Sequence, residues 1–207
     1  METKTKETKV LIALPCTDDV KAKTALCLAG MCLFKPTYPP YYEADILMRI
    51  GCDIVGSRIF LVNQARELGM THILFLDHDM WFPPNSIEQL LIWDKDIIGA
   101  AYNYRSFPLK STAFPLGTEP INGEYFSDPK KLPTELFKCD VIATGLLLIK
   151  LSVFDKLEKP WFQFGRKDDG ELNYGEDTYF CRRAIEAGFD IWCDPTLTVR
   201  HLGVFPF

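Results

Sequence analysis

The chain has 207 residues, 47% of them hydrophobic and 25% charged, with a formal net charge of −5. That suffices for one good core, or one core with a lobe attached. The negative balance gives no overall positive field for nucleic acid or an anionic membrane, and no stretch approaches the roughly 20 apolar residues of a membrane span.

The 7 cysteines are odd in number and form no C-x-x-C pair. Several lie in apolar runs (Cys27, Cys32, Cys181), which suits reduced, buried thiols better than a disulfide framework. The polar start, METKTKETK, has no apolar signal region, so a cytoplasmic location is expected. The abrupt apolar end, Phe205-Pro206-Phe207, suggests one domain of a longer polypeptide.

Residues 9–14 read as the first strand, stopped by Pro15. Asp18 or Asp19 can cap a helix to about Leu33. A rigid aromatic loop, Tyr38-Pro39-Pro40-Tyr41-Tyr42, follows. Residues 44–50 form a second strand, closed by Gly51. The helix over residues 54–68 has an apolar face of Ile54, Leu61, Ala65 and Leu68, flanked by Val55 and Val62. Arg58 lies within that face, where a guanidinium needs a partner. It either snorkels outward, pairs with an internal carboxylate, or reaches a phosphate or base at the sheet edge.

The centre of the chain is THILFLDHDM, residues 71–80. Ile73 to Leu76 is an unbroken apolar run, as in a strand covered on both faces. It stops at Asp77-His78-Asp79. In extended chain these two carboxylates share a face about 6.6 Å apart. At an effective dielectric near 20 they repel by about 2.5 kcal/mol. Such a pair serves as a turn or cap, or it holds a cation and ligand at the carboxyl end of a strand.

Asn85 with Glu88 forms a capping box for a helix to Trp93, and residues 96–102 form a strand running into Asn103-Tyr104-Arg105. The order β-α-β-α-β-α-β is that of a parallel sheet with helices on its faces. Residues 106–138 read as a β-rich excursion with short segments at residues 111–114 and 124–126. Residues 137–142 and 146–150 are strands split by Ala143-Thr144-Gly145, where the glycine marks a bulge or close ligand approach.

Ser152 caps a short helix to Leu157, and residues 161–173 are a polar loop. From Thr178 a helix turns Phe180, Cys181, Ala184 and Ile185 inward and ends at Gly188. Glu176 and Asp177 stand at its start, where exposed amides favour carboxylates. Residues 190–195 form a last strand, and His201 follows near the end.

In order and spacing, these stretches resemble the GT-A glycosyltransferases, within them the compact family-2-like enzymes of phages and large DNA (algal) viruses. The resemblance spans nearly the whole chain. It is carried by Leu14-Pro15, Ser57-Arg58, Asp77-His78-Asp79, residues 99–102, Thr144-Gly145, Gly175-Glu176-Asp177, Asp194-Pro195 and His201-Leu202-Gly203.

It implies an α/β fold with a Rossmann-like, mostly parallel sheet in a single domain, residues 1–207. Residues 9–105 would be the nucleotide-sugar half, and 106–207 a smaller β-rich acceptor-side and catalytic half. It implies a metal-dependent, inverting transfer from a nucleotide-diphosphate sugar, UDP on frequency, to a hydroxyl of a glycan or other acceptor, in the host cytoplasm if the protein is viral. Asp79, Asp77 and His201 would hold Mn²⁺ or Mg²⁺. Pro15, Thr17, Arg58, Asp77 and His78 would line the nucleotide pocket. Asp177 would be the base, with Glu176 beside it. Thr144, Gly145, Trp161 and Phe162 would meet the acceptor. The alternatives are a nucleotidyltransferase, whose Gly-rich basic loop is missing after strand one, and an inactive nucleotide-sugar or glycan-binding domain.

Overall fold

A computed structural model describes residues 7–36, 39–118 and 127–203. In chain order the elements are β1 (Thr8–Cys16), α1 (Ala22–Leu33), β2 (Tyr42–Ile50), α2 (Ile54–Glu67), β3 (His72–Leu76), β4 (Met80–Trp81), α3 (Ser86–Leu91), β5 (Ile97–Gly99) and β6 (Ala113–Pro115). After a 3₁₀ turn come β7 (Phe137–Ile142), β8 (Leu146–Lys150), α4 (Val153–Lys156), β9 (Gly165–Arg166), β10 (Leu172–Tyr174), α5 (Glu176–Glu186), β11 (Ile191–Cys193) and β12 (Arg200–His201).

Eight strands form one sheet in the order β2-β1-β3-β8-β5-β11-β7-β6. β1 pairs in parallel with β2 and β3, and β5 with β11. β8 runs antiparallel to β3 and β5, and β7 to β11 and β6. The sheet is therefore mixed: most strands point one way, but β7 and β8 reverse. Of the strands after residue 106, β8 is inserted between β3 and β5 of the first half, while β11, β7 and β6 continue the sheet beyond β5.

The central strands β1, β3, β5 and β8 are largely apolar because both faces are covered, whereas the edge strand β2 is mostly exposed. Leu11 and Ala13 of β1, Ile73 and Phe75 of β3, and Leu147 and Ile149 of β8 point to one side. There they meet Leu61, Val62 and Ala65 of α2 and Phe180, Cys181 and Ala184 of α5. The alternate residues, Ile12, Leu74, Leu76 and Leu148, meet Leu28 and Met31 of α1 and Ile87 and Leu90 of α3. The period-2 alternation thus feeds two cores rather than one core and solvent.

Several local expectations are corrected. β1 continues through Pro15 to Cys16 in register with β2. α1 starts after Lys21, with neither Asp18 nor Asp19 capping it. The side chains of Asn85 and Ser152 make no cap hydrogen bond, and α3 stops at Leu91, before Trp93. Tyr42 belongs to β2 rather than to the aromatic loop. β5 ends at Gly99. The polar loop at residues 161–173 contributes both strands of the β9–β10 hairpin. Ile185 and Leu68 are exposed rather than inward. Cys32 is exposed and Cys27 half-buried, while Cys16, Cys139, Cys181 and Cys193 are buried, and all of these thiols are free. The segments at residues 1–6, 124–126 and 204–207 lie outside the described residues. No helix among the described residues is long and apolar enough to cross a membrane.

Candidate active site

The carboxyl ends of β1 and β3 and the start of β8 meet at one edge of the sheet. The Asp77 amide donates to the Gly145 carbonyl at 3.1 Å, extending the β3–β8 ladder by one step. The chain then turns back into β4, which pairs with β12 so that His201 faces Met80. The Leu202 amide donates to the Asp79 carbonyl at 2.8 Å. A two-residue ladder thereby carries the last histidine of the chain to the central Asp-His-Asp.

The approach to that ladder is anchored by fully buried Asp194. Its carboxylate accepts from the Thr196 amide and hydroxyl, Trp93 Nε1 and Gln89 Nε2. The motif's Asp194-Pro195 is thus a structural clasp at the end of β11.

Asp79 is 3% exposed. His201 Nε2 lies 3.2 Å from its Oδ1, Arg105 Nη1 2.8 Å from its Oδ2, and Lys21 Nζ 3.7 Å from Oδ2. Burial alone would raise its pKa. The His201 hydrogen bond and charge, with Arg105 and His78, outweigh burial and hold Asp79 below the ordinary carboxylate value. Lys21 also donates its amide to the His78 carbonyl at 3.0 Å and its ammonium to the Leu202 carbonyl.

Asp77 faces a different cation. Arg58 is 3% exposed, as its place on the apolar face of α2 required. Its Nη2 lies 3.4 Å from Asp77 Oδ1 and its Nε 3.3 Å from Glu176 Oε1. Of the readings open for Arg58, pairing with internal carboxylates is the one realised.

Asp177 follows at the first turn of α5, its Oδ1 accepting from the Thr178 amide at 2.7 Å. A Cβ at Gly175 would lie 2.8 Å from that oxygen, so glycine there leaves room for the carboxylate. Desolvation, then the charge of Glu176, push the Asp177 pKa up to about 6.

Gly145 is buried where three groups converge. Its amide donates to the hydroxyl of buried Tyr102 at 3.0 Å. A Cβ at this position would lie 2.2 Å from Tyr102 Oη and 3.0 Å from Asp77 Oδ2. The ring of Tyr102 also meets His201 edge-to-face, with centroids 5.6 Å apart.

A cleft of about 270 Å³ opens here, lined among others by Pro15, Thr17, Arg58, Asp77, His78 and Asp79, and by Glu176 and His201. The expected nucleotide residues are therefore brought together. Thr144 and Gly145 are buried at the base of the site. Trp161 is corrected: it is 1% exposed, its Nε1 donates to the Leu157 carbonyl, and its ring packs on Phe154. It and fully buried Phe162 are core residues and offer no ring face to a sugar. The sequence reading missed Lys21, Tyr102 and Arg105. Two are cations in irregular segments, and Tyr102 looked like the end of a strand.

Among the described residues, no group of three or more His, Cys, Asp or Glu is assembled as a metal cage. Two of the three expected ligands, His201 and Asp79, lie side by side. Adjacent ligands on an octahedral ion at about 2.1 Å lie about 3 Å apart, close to the 3.2 Å between His201 Nε2 and Asp79 Oδ1. Asp77 is turned to Arg58 instead. A site with one or two protein carboxylates and a phosphate ligand needs no full protein cage.

No family model and no curated protein matches the chain. Among solved structures it is similar to the crystal structure of the viral protein A197 from STIV. The TM-score is 0.63 and the identity 16%, covering 95% of this chain and 86% of that one. At that identity the similarity is one of fold: a mixed α/β sheet flanked by helices.

Proposed function

We propose that the protein is a GT-A-type glycosyltransferase that moves a sugar from a nucleotide-diphosphate donor to an acceptor hydroxyl with inversion. The observation that carries this reading is the pairing of Asp79 with His201 in a cleft that Arg58 and Glu176 also line, with Asp177 following Glu176 in the chain. Carboxylates at the carboxyl edge of an α/β sheet are placed for a ligand.

The donor would lie in the cleft, with its nucleotide against Pro15, Thr17 and His78. Arg105 and Lys21 supply positive charge toward a diphosphate. Asp79 and His201 would hold a divalent ion, Mn²⁺ suiting a site with one imidazole. Such an ion, when bound, neutralises charge on the departing diphosphate. Arg58 holds Asp77 and Glu176 in place.

Asp177 takes the acceptor proton as the hydroxyl oxygen attacks the anomeric carbon. A carboxylate with a pKa of about 6 is roughly nine-tenths ionised at pH 7, yet more basic than an ordinary aspartate. Glu176, held by Arg58, raises that basicity by its charge.

Calorimetric titration of UDP and GDP, each with Mn²⁺ and again with EDTA, tests the donor site. One nucleotide should bind in a metal-dependent way, and Asp79→Ala should abolish that binding. Absence of binding by both, with and without metal, would overturn the reading.

A further inference from the structure

A second cavity, about 620 Å³, adjoins the cleft and is walled in part by Tyr104, Arg105, Lys110, Phe114, Tyr174 and Arg182. Arg105 lines both cavities. Thr178, directly after Asp177, also lines the second one. Burial, then the charge of Asp177, push the Tyr104 phenol up to about 12, so this wall lies within the field of the proposed base. The β9–β10 hairpin supplies Tyr174, and α5 supplies Thr178 and Arg182 one turn apart on the same face.

The lining has a definite chemistry. Among the described residues it contains Arg105, Lys110 and Arg182, and no Asp or Glu. The guanidinium of Arg182 stacks on the Tyr174 ring at 4.4 Å. Among the described residues, no carboxylate lies within ion-pair reach of Arg182, whereas its neighbour Arg183 pairs with both Glu158 and Glu186. Arg105 pairs with Asp79, so the guanidinium of Arg182, stacked on Tyr174, is the charge this lining offers a ligand. Aromatic side chains give apolar surface to a sugar face, and a planar guanidinium gives a fork for an oxyanion.

We propose that this cavity is the acceptor subsite and that it takes a sugar bearing an anionic substituent, a carboxylate or a phosphate. The assignment rests on the glycosyltransferase reading for the word acceptor, but not for the binding itself. The sugar packs on the aromatic wall, Arg182 holds its oxyanion, and the hydroxyl to be glycosylated points toward Asp177.

The test is calorimetric binding of methyl glucuronide, a hexose phosphate and neutral methyl glucoside to the full chain and to Arg182→Gln, at low and high salt. Arg182 is exposed, and thermal melting checks that the variant stays folded. At least one anionic probe should bind roughly tenfold tighter than the neutral glycoside. That preference should fall with salt and largely vanish in Arg182→Gln. The two anionic probes separate a carboxylate site from a phosphate site.

Equal binding of all three probes, or a preference unchanged in Arg182→Gln, overturns the proposal. UDP and GDP titrated in parallel keep the two readings apart. Nucleotide binding without anion preference sinks this inference alone. Anion preference without nucleotide binding leaves the anion site standing and removes the glycosyltransferase reading.

Discussion

The two carboxylate centres of the cleft are built from the same residue type and run opposite electrostatics. Around Asp79, one buried acid meets three bases, His201, Arg105 and Lys21, and its pKa is lowered. Around the start of α5, three acids (Asp77, Glu176 and Asp177) share the single guanidinium of Arg58, and the pKa of Asp177 rises to about 6. An excess of cations makes a fixed anion whose own charge is already matched. An excess of acids makes a carboxylate that wants a proton, suited to removing one. The contrast follows from where the cations sit, since both centres lie at the same sheet edge.

Neutralising the base breaks this comparison most strongly. Asp177→Asn should lower transfer by about 10³-fold while leaving nucleotide binding intact, as expected for a lost general base. In the wild type, kcat/KM should rise with pH through a midpoint near pH 6 to a plateau above about pH 7. Retained transfer in Asp177→Asn would remove Asp177 from the chemistry.

The same variant has a stability signature of opposite sign. The folded state holds the Asp177 proton more tightly than the unfolded chain, whose aspartate titrates near 3.8. Wild-type stability should therefore fall as pH rises between about 4 and 6. Asp177→Asn lacks that loss and should be more stable at pH 7 by about 1–3 kcal/mol. Urea unfolding at pH 4 and pH 7 measures both limbs.

Removing the shared cation comes next. Arg58→Met leaves Asp77 and Glu176 facing each other without compensation, and should destabilise by about 3–5 kcal/mol. Arg58 also lowers the Asp177 pKa, so any folded variant should show its acid limb displaced above pH 6. A loss under about 1 kcal/mol would mean the guanidinium is not what holds the two acids together.

How much of this was legible depends on whether a residue acts through its own pattern or through a neighbour's. β8 is an apolar run from Leu146 to Ile149 closed by Lys150, because burial on both faces leaves an uninterrupted signal, while β7 shows the alternation of a strand with one face more exposed. The Arg58 anomaly announced a buried cation, since α2 periodicity places it inside. Lys21 gave no such sign. It ends a loop whose geometry is set by the His78 and Leu202 carbonyls, distant in sequence. Arg105 lies in irregular chain, and nothing periodic points it at Asp79. Trp161 misled because a ring at the head of a polar loop looks exposed. Whether its face is free depends on Phe154 and on the Leu157 carbonyl, which only the fold brings to it. The mixed sheet was hidden for a similar reason: the direction of β8 is decided by where the chain re-enters, not by its residues.

The smallest expected effect probes the joint between the two centres. Tyr102 touches both: its hydroxyl accepts from Gly145 beside Asp77, and its ring meets His201. Tyr102→Phe leaves the buried Gly145 amide without its acceptor and should cost about 1–2 kcal/mol. Gly145→Ala forces a methyl to 2.2 Å from the same hydroxyl and should cost about 1–3 kcal/mol. In the double variant the oxygen that the methyl meets is gone, so the two losses should not add. Unfolding of all four proteins should give a combined loss smaller than the sum by about 1 kcal/mol. Strict additivity would mean the alanine clash is absorbed elsewhere, against the Tyr102 ring carbon at 2.7 Å or Asp77 Oδ2 at 3.0 Å. A methyl pressing on Asp77 would disturb the Arg58 pair and move the acid limb of Asp177, whereas one pressing on Tyr102 alone would leave it in place.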